Sequence, residues 1–191
     1  MKFRKLGIEG TWVAEATVWP DKRGIFREWF KSEEILKATG IDFSVQQANF
    51  SLSHKGVIRG IHYSLAPEGQ AKWVTCVSGA IIDVIVDIRP NSTTYKKIEY
   101  VELAPETGVA ILIGPGLGHG FISLEENSGV SYLLNSPYSP NYELDITPTD
   151  TDLKIEWQRF IKENSDFILS DKDRLAPSLM QREINLELPR C

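Results

Sequence analysis

Along most of the chain, apolar and polar residues change places with the short period of β-structure. The stretch "GTWVAEATVW" alternates from Trp12 onward and predicts a strand. The cluster "PDKRG" (Pro20 to Gly24) predicts a turn, and "IFREWF" the strand after it. One helix is predicted at "SEEILKATG": Ser32 as its cap, Glu33 and Glu34 in its first turn, and Gly40 as its stop. Further strands are predicted at "DFSVQQANFSLS", "GVIRGIHYS", "AKWVTCVSGAIIDVIVDIR", "KKIEYVELA", "GVAILIGPG", "HGFISLE" and "GVSYLLNSPY". Strands this dense, separated by Gly, Pro, Asn and Ser, point to an all-β sandwich or barrel. Within "SGAIIDVIVDIR", Asp83 and Asp87 alternate with apolar residues, the pattern of an antiparallel strand with one dry face. From about Asp150 the strand period fades, and "TDTDLKIEWQRF" and "LSDKDRLAPSLMQREI" predict short helical pieces and loops.

The totals narrow the class. The 191 residues suit a single domain, 1–191, with no internal repeat or linker. A net charge of −5 argues against a general nucleic-acid binder, which needs a broad basic face. No apolar run reaches the roughly 18 residues of a membrane span, and "MKFRKLGIEGTWV" lacks the apolar stretch of a signal peptide, so a cytoplasmic protein is expected. Cys76 and Cys191 form no CxxC and no disulfide framework; they read as a small buried hydrophobe and a loose terminal thiol.

The chemistry-bearing residues sit inside strand patterns. Arg59 and His62 interrupt "GVIRGIHYS", and Gln47, Asn49, Lys72 and His119 lie in similar settings; His54 reads as a turn residue. Polar groups in half-buried strands are costly unless paired or put to use. Arg59 and His62 have opposite parity, so a regular strand sends them to opposite faces; a bulge at Gly60 would bring both inward. A metal site is not expected. The strand has one His and no HxH, and Glu68 and His119 make a thin ligand set beside His62. No GxSxG, GxGxxG or P-loop is present.

Seven stretches, in order, closely resemble the dTDP-4-dehydrorhamnose 3,5-epimerase family. They are "DKRGIFREWF", "VQQANFSLS", "GVIRGIHYS", "QAKWVTCVSGAIIDVIVDIRPNS", "HGFISL", "YLLNSPYSPNYE" and "LSDKDRLAP", together spanning roughly Asp21 to Pro177. The resemblance implies a jelly-roll, cupin-type β-sandwich with short peripheral helices, mainly near the C-terminus. It also implies a homodimer, no cofactor and no metal, and inversion of carbons flanking the C4 ketone of a dTDP-4-keto-6-deoxyhexose. A base that takes a hydrogen α to a ketone suits His62, since imidazole titrates near neutrality. By resemblance Asp173, with Asp171 as the alternative, holds the His62 ring; Lys72 faces the C4 oxygen; Tyr132 is the acid on the opposite face. Arg23 and Arg59 are implied for the diphosphate, Glu28, Gln47 and Asn49 for base or sugar, Phe26 and Tyr138 for stacking on thymine, and His119 for the sugar.

The chain departs from the family pattern at Ser64, Trp73, Leu117, Leu133 and Asn135, with Trp73 expected beside the pocket, and "ELDITPTDTD" lacks the Trp often found after the Glu. These departures leave inversion at C3 only or at C5 only as alternatives to double inversion; separate rival classes are a non-catalytic cupin that binds a sugar nucleotide, a metal-dependent cupin, and a ketoisomerase acting on the same substrate.

Overall fold

The computed structural model describes residues 1–67, 69–161 and 166–190. Glu68 and Cys191 therefore lie outside the described residues. The chain begins with strands β1 (Lys2–Lys5), β2 (Thr11–Glu15), β3 (Val18–Asp21) and β4 (Gly24–Arg27), then helix α1 (Ser32–Thr39). The central strands follow: β5 (Gln47–Ser53), β6 (Ile58–Ser64), β7 (Lys72–Ser78), β8 (Ile81–Asp87), β9 (Ile98–Leu103), β10 (Val109–Ile113), β11 (Leu117–Ser123) and β12 (Ser128–Leu134). A short β13 (Glu143–Asp145) precedes a 3₁₀ turn (Trp157–Phe160) and helices α2 (Asp171–Arg174) and α3 (Leu179–Ile184). No helix among the described residues is long and apolar enough to cross a membrane.

Two antiparallel sheets form a sandwich. The first has order β1-β2-β10-β7-β12-β5, the second β13-β6-β11-β8-β9, and β3–β4 stands apart as a hairpin. Each sheet is covered on both faces. Between the sheets lie Val74, Cys76, Ile81, Ile85, Ile111, Phe121 and Val130. The outer face of the first sheet packs Trp73, Ala110, Leu112 and Leu133 against Ile35 and Phe43, with Phe3, Trp29 and Phe30 at the margin. The outer face of the second sheet packs Ile61, Tyr63, Val84, Val86 and Ile122 under the C-terminal segment, through Ile146, Leu153, Trp157 and Leu179.

Several local expectations change. The single strand expected over "GTWVAEATVW" is two, β2 and β3, and "IFREWF" is strand only to Arg27; Trp29 and Phe30 leave the hairpin to cover the first sheet. Helix α1 is capped at Lys31 without a side-chain bond, so Ser32 is its first helical residue rather than its cap. Gly40 does end it in the left-handed conformation, as expected. β8 has no wet face: all seven residues are buried, and Asp83 and Asp87 point between the sheets with Ile81 and Ile85. The sequence pattern did not reveal β1 or β13.

Candidate active site

The site is built where inward positions of both sheets turn polar. Along β7 and β12, Lys72 and Tyr132 continue the inward row that Val74, Cys76 and Val130 fill with apolar side chains. On β5, Gln47 and Asn49 take the same face, with Asn49 paired to Tyr132 and Gln47 to Leu134 across the ladder. From the facing sheet, β6 contributes Arg59 and His62, and β11 contributes His119.

The parity conflict in β6 is resolved by a bulge. His62 pairs with His119 and Arg59 with Phe121, so three steps on β6 match two on β11. Gly60 absorbs the extra residue at φ 128°, and a Cβ there would lie 2.5 Å from the Gly120 Cα. Only glycine fits at that approach. The Gly60–Ile61 peptide is cis.

The His62 ring is held from the C-terminal segment. That segment runs beside β6, where Ile168 N donates to Gly56 O at 3.1 Å and Ile58 N to Ile168 O at 3.0 Å. It then enters α2, where the Ser170 side chain accepts from Asp173 N at 3.1 Å. This cap fixes Asp173 over the site, and its Oδ1 accepts from His62 Nε2 at 2.8 Å. The carboxylate beside His62 is thus Asp173; Asp171, at the start of α2, is exposed. Burial raises the Asp173 carboxyl, but the His62 hydrogen bond and charge, with further bonds from Ser170 and Gly60, outweigh it and leave the group below its ordinary value. A carboxylate only accepts, so Nε2 carries the proton and the lone pair of the neutral ring is on Nδ1.

Two lobes of about 120 Å³ and 150 Å³ share His62, Lys72 and Tyr132. Gln47, Asn49 and Tyr138 line the first; Arg59 and His119 line the second. Tyr138 N donates to Gln47 Oε1 at 2.8 Å, and Gln47 Nε2 to Asn49 Oδ1 at 2.9 Å. Lys72 is buried, and its hydrogen bond is a long one, to His62 O at 3.5 Å. Burial pushes its ammonium below the usual lysine range, against the pull of Glu143, Asp83 and Asp145. Burial likewise raises the Tyr132 phenol, while Arg59 and Asn49 oppose the rise.

Other site residues received no role from the sequence, although Gln70, Glu143 and Lys172 stand inside the quoted motifs. Gln70, Glu143, Asp145 and Lys172 line the first lobe. Gln70 Nε2 donates to Glu143 Oε1 at 3.0 Å, and the Lys172 ammonium to Asp145 Oδ1 at 3.0 Å. Glu143 and Asp145 belong to the three-residue β13, too short to carry a period. Lys172 lay unremarked inside "LSDKD". Asp83 also went unassigned; it accepts from His119 Nε2 at 2.8 Å through Oδ2. His62, Asp145 and Asp173 offer ligand atoms within 4.8 Å of one another, a set that a metal ion could use. Two of its carboxylate oxygens already face the imidazole and the Lys172 ammonium.

Three predicted binding residues do not reach the lobes within this chain. Arg23 is exposed and tied to Asp21, with Nε 3.0 Å from Oδ2; Phe26 is 63% exposed against Trp19; Glu28 pairs with Lys31 at 2.7 Å. Ser64, Trp73, Leu117, Leu133 and Asn135 lie off the lobes too, whereas Leu144, which follows Glu143 where the family often has Trp, lines the first lobe. Trp73, expected beside the pocket, is fully buried on the opposite face of its sheet, its Nε1 donating to Trp29 O at 2.9 Å. The reason is strand parity: the neighbour of an inward Lys72 points outward. Leu133 joins the same outer cluster, Leu117 the apolar interior, and Asn135 Oδ1 accepts from Ala71 N at 2.6 Å.

Comparison with known proteins agrees with this architecture. The family model described as dTDP-4-dehydrorhamnose 3,5-epimerase matches residues 5–181. A dTDP-4-dehydrorhamnose 3,5-epimerase of Mycolicibacterium smegmatis is 42% identical over 189 residues, 99% of this chain and 91% of that protein. The solved rmlC epimerase of Mycobacterium tuberculosis superposes with a TM-score of 0.94 at 39% identity, over 100% of this chain and 94% of the other. A 3'-monoepimerase from Streptomyces bikiniensis, solved in complex with dTDP-quinovose, gives 0.90 at 41% identity, over 97% and 91%. The chain belongs to the dTDP-4-dehydrorhamnose 3,5-epimerase family.

Proposed function

We propose that this protein epimerises a dTDP-linked 4-keto-6-deoxyhexose by taking a proton from a carbon beside the C4 ketone and returning one from the opposite face. The observation that carries this reading is the pairing, across one cavity, of a carboxylate-held imidazole from one sheet with a phenol and a buried ammonium from the other. His62 is the base: Asp173 fixes its tautomer and stabilises the imidazolium that forms. Lys72 faces the C4 oxygen as it gains charge, where a desolvated cation acts most strongly. Tyr132, kept protonated by its burial, supplies the proton from the opposite sheet. Arg59 and Lys172 flank an open groove of about 430 Å³ beside the lobes and suit the diphosphate; Gln47, Asn49 and Tyr138 take sugar or base. No cofactor or metal enters this scheme.

The scheme includes a homodimer. Arg23, Phe26 and Glu28 sit on and beside a hairpin whose Trp19, Ile25 and Phe26 are exposed, and an apolar hairpin of this kind calls for a covering surface. In a dimer, the hairpin of one subunit would bring those three residues to the cavity of the other. Mixing inactive His62→Asn and Arg23→Ala proteins tests this: partial recovery of activity supports shared sites, and a monomer by light scattering at micromolar concentration contradicts the dimer. A cytoplasmic setting accords with this reading; the Cys76 thiol is buried and raised to about 11, chiefly by desolvation, and so inert.

Proton NMR in D₂O with dTDP-4-keto-6-deoxyglucose tests the reaction. Exchange at C3 and C5 marks double inversion, and exchange at one carbon marks a mono-epimerase. No exchange at either would overturn proton abstraction and leave a sugar-nucleotide-binding cupin.

A further inference from the structure

The sandwich contains a second His–Asp pair facing the same cavity, and the proposed reaction has given its carboxylate no task. Asp83 is fully buried, and the ring of its partner His119 is about one-tenth exposed. His119 lies directly opposite His62 in the β6–β11 ladder and lines the lobe shared by His62, Lys72, Arg59 and Tyr132. Asp83 Oδ2 accepts from His119 Nε2, while its Oδ1 is buried without a hydrogen-bond partner among the described residues. A buried carboxylate with one oxygen unused is costly. The fold keeps this one on an inward row where its neighbours Ile81 and Ile85 are apolar.

We propose that Asp83 is a positioning residue for the epimerisation: through Oδ2 it fixes the His119 tautomer so that Nδ1 serves the sugar, and its buried negative charge acts across the lobe on the Lys72 ammonium. The inference rests on the proposed epimerisation. The groups facing His119 are Asp83 from β8, Arg59 and His62 from β6, and Lys72 and Tyr132 from the other sheet. Asp83 is the only carboxylate in that set; beyond it, Asp173 holds His62, and Glu143 and Asp145 act on Lys72 from the first lobe. Lys72 feels Asp83 as one of three acidic groups that offset its burial. Asp83 itself touches no substrate in this scheme. Its effect passes through His119 and Lys72, so its loss lowers kcat while KM changes little.

The test has two arms, read against exchange by the wild-type protein, whose absence would indict the reaction and not Asp83. In the first, Asp83→Asn is assayed by exchange in D₂O. Its kcat is expected to fall about 10²-fold with KM within about threefold, and the limb of the pH–rate profile that reports Lys72 to move. Wild-type kcat and an unmoved profile in a folded Asp83→Asn protein would overturn the inference. In the second arm, which needs no variant at Asp83, ¹⁵N NMR of the wild-type histidines reads the tautomer. Only three rings are present, and His119→Asn assigns the signal. A proton on Nε2 of His119 is expected; a neutral ring protonated on Nδ1 alone would overturn the inference even if Asp83→Asn fails to fold.

Discussion

The two His–Asp pairs use the same bond and differ in everything around it. His62 and Asp173 are 111 residues apart, and His119 and Asp83 are 36 apart, yet both contacts run from Nε2 to a carboxylate oxygen at 2.8 Å. The His62 side chain is 39% exposed, and its carboxylate comes from a four-residue helix laid over the site by the C-terminal segment. The His119 side chain is 10% exposed, and its carboxylate comes from the next strand of the same sheet. A ring that must take a proton and give it up needs a path to solvent; a ring that presents a fixed dipole does better without one. The contrast teaches that two pairs of identical bond geometry differ in access, which is the difference expected between the proposed catalytic pair and the proposed positioning pair.

The largest expected effect is at the open pair. His62→Asn should lower α-proton exchange by about 10²–10⁴-fold, the usual range for losing a positioned base. Exchange within tenfold of wild type would place the base elsewhere, with His119 the first candidate. Asp173→Asn comes next at about 10²-fold or more, because an amide permits the wrong tautomer. It also carries a stability signature. Asp173 is lowered on folding, so its contribution is complete above the unfolded carboxylate pKa of about 4 and disappears as pH falls through the folded value. The gap in urea stability between wild type and Asp173→Asn should hold steady above about pH 5 and narrow below about pH 4. A gap that widens on acidification would contradict the pairing.

Tyr132→Phe separates removal of the proton from its return. Inversion should fall about 10²-fold while exchange at the carbon facing His62 persists. Equal loss of both would make Tyr132 part of the base machinery. Ser170→Ala removes the cap that fixes Asp173, at a cost of about 1 kcal/mol in stability and a severalfold loss in kcat. Unchanged kcat would mean the 166–169 segment holds Asp173 without help. Smallest of all, Asp171→Asn should alter kcat by less than about twofold, since that side chain is exposed; a loss matching Asp173→Asn would reverse the assignment of the two carboxylates.

Much of the open pair was legible from residues alone. His62 stood out as an imidazole in an apolar strand, and Gly60 signalled the bulge that turns Arg59 to the same side. The buried pair was not legible, because alternating Asp83 and Asp87 with apolar neighbours looks the same whether the alternate face meets water or another sheet. Trp73 was misplaced for a related reason: adjacency to Lys72 in sequence means opposite faces in a strand. Glu143 and Lys172, though inside quoted motifs, and Asp145 received no role because each lies in an element too short to show which way it faces.

By itself, then, the sequence determined the local terms: a period-two pattern that makes strands, Gly40 and the "PDKRG" cluster that end elements, and residue types able to move a proton beside a ketone. Only the tertiary structure decided which carboxylate meets which imidazole, which face of β8 is inward, and which aromatic residues cover the first sheet rather than line the cavity. The physical reason is range. Backbone sterics and hydrogen bonding act over a few residues and can be read from them, whereas pairing of buried polar groups depends on packing that brings strands and a distant helix together.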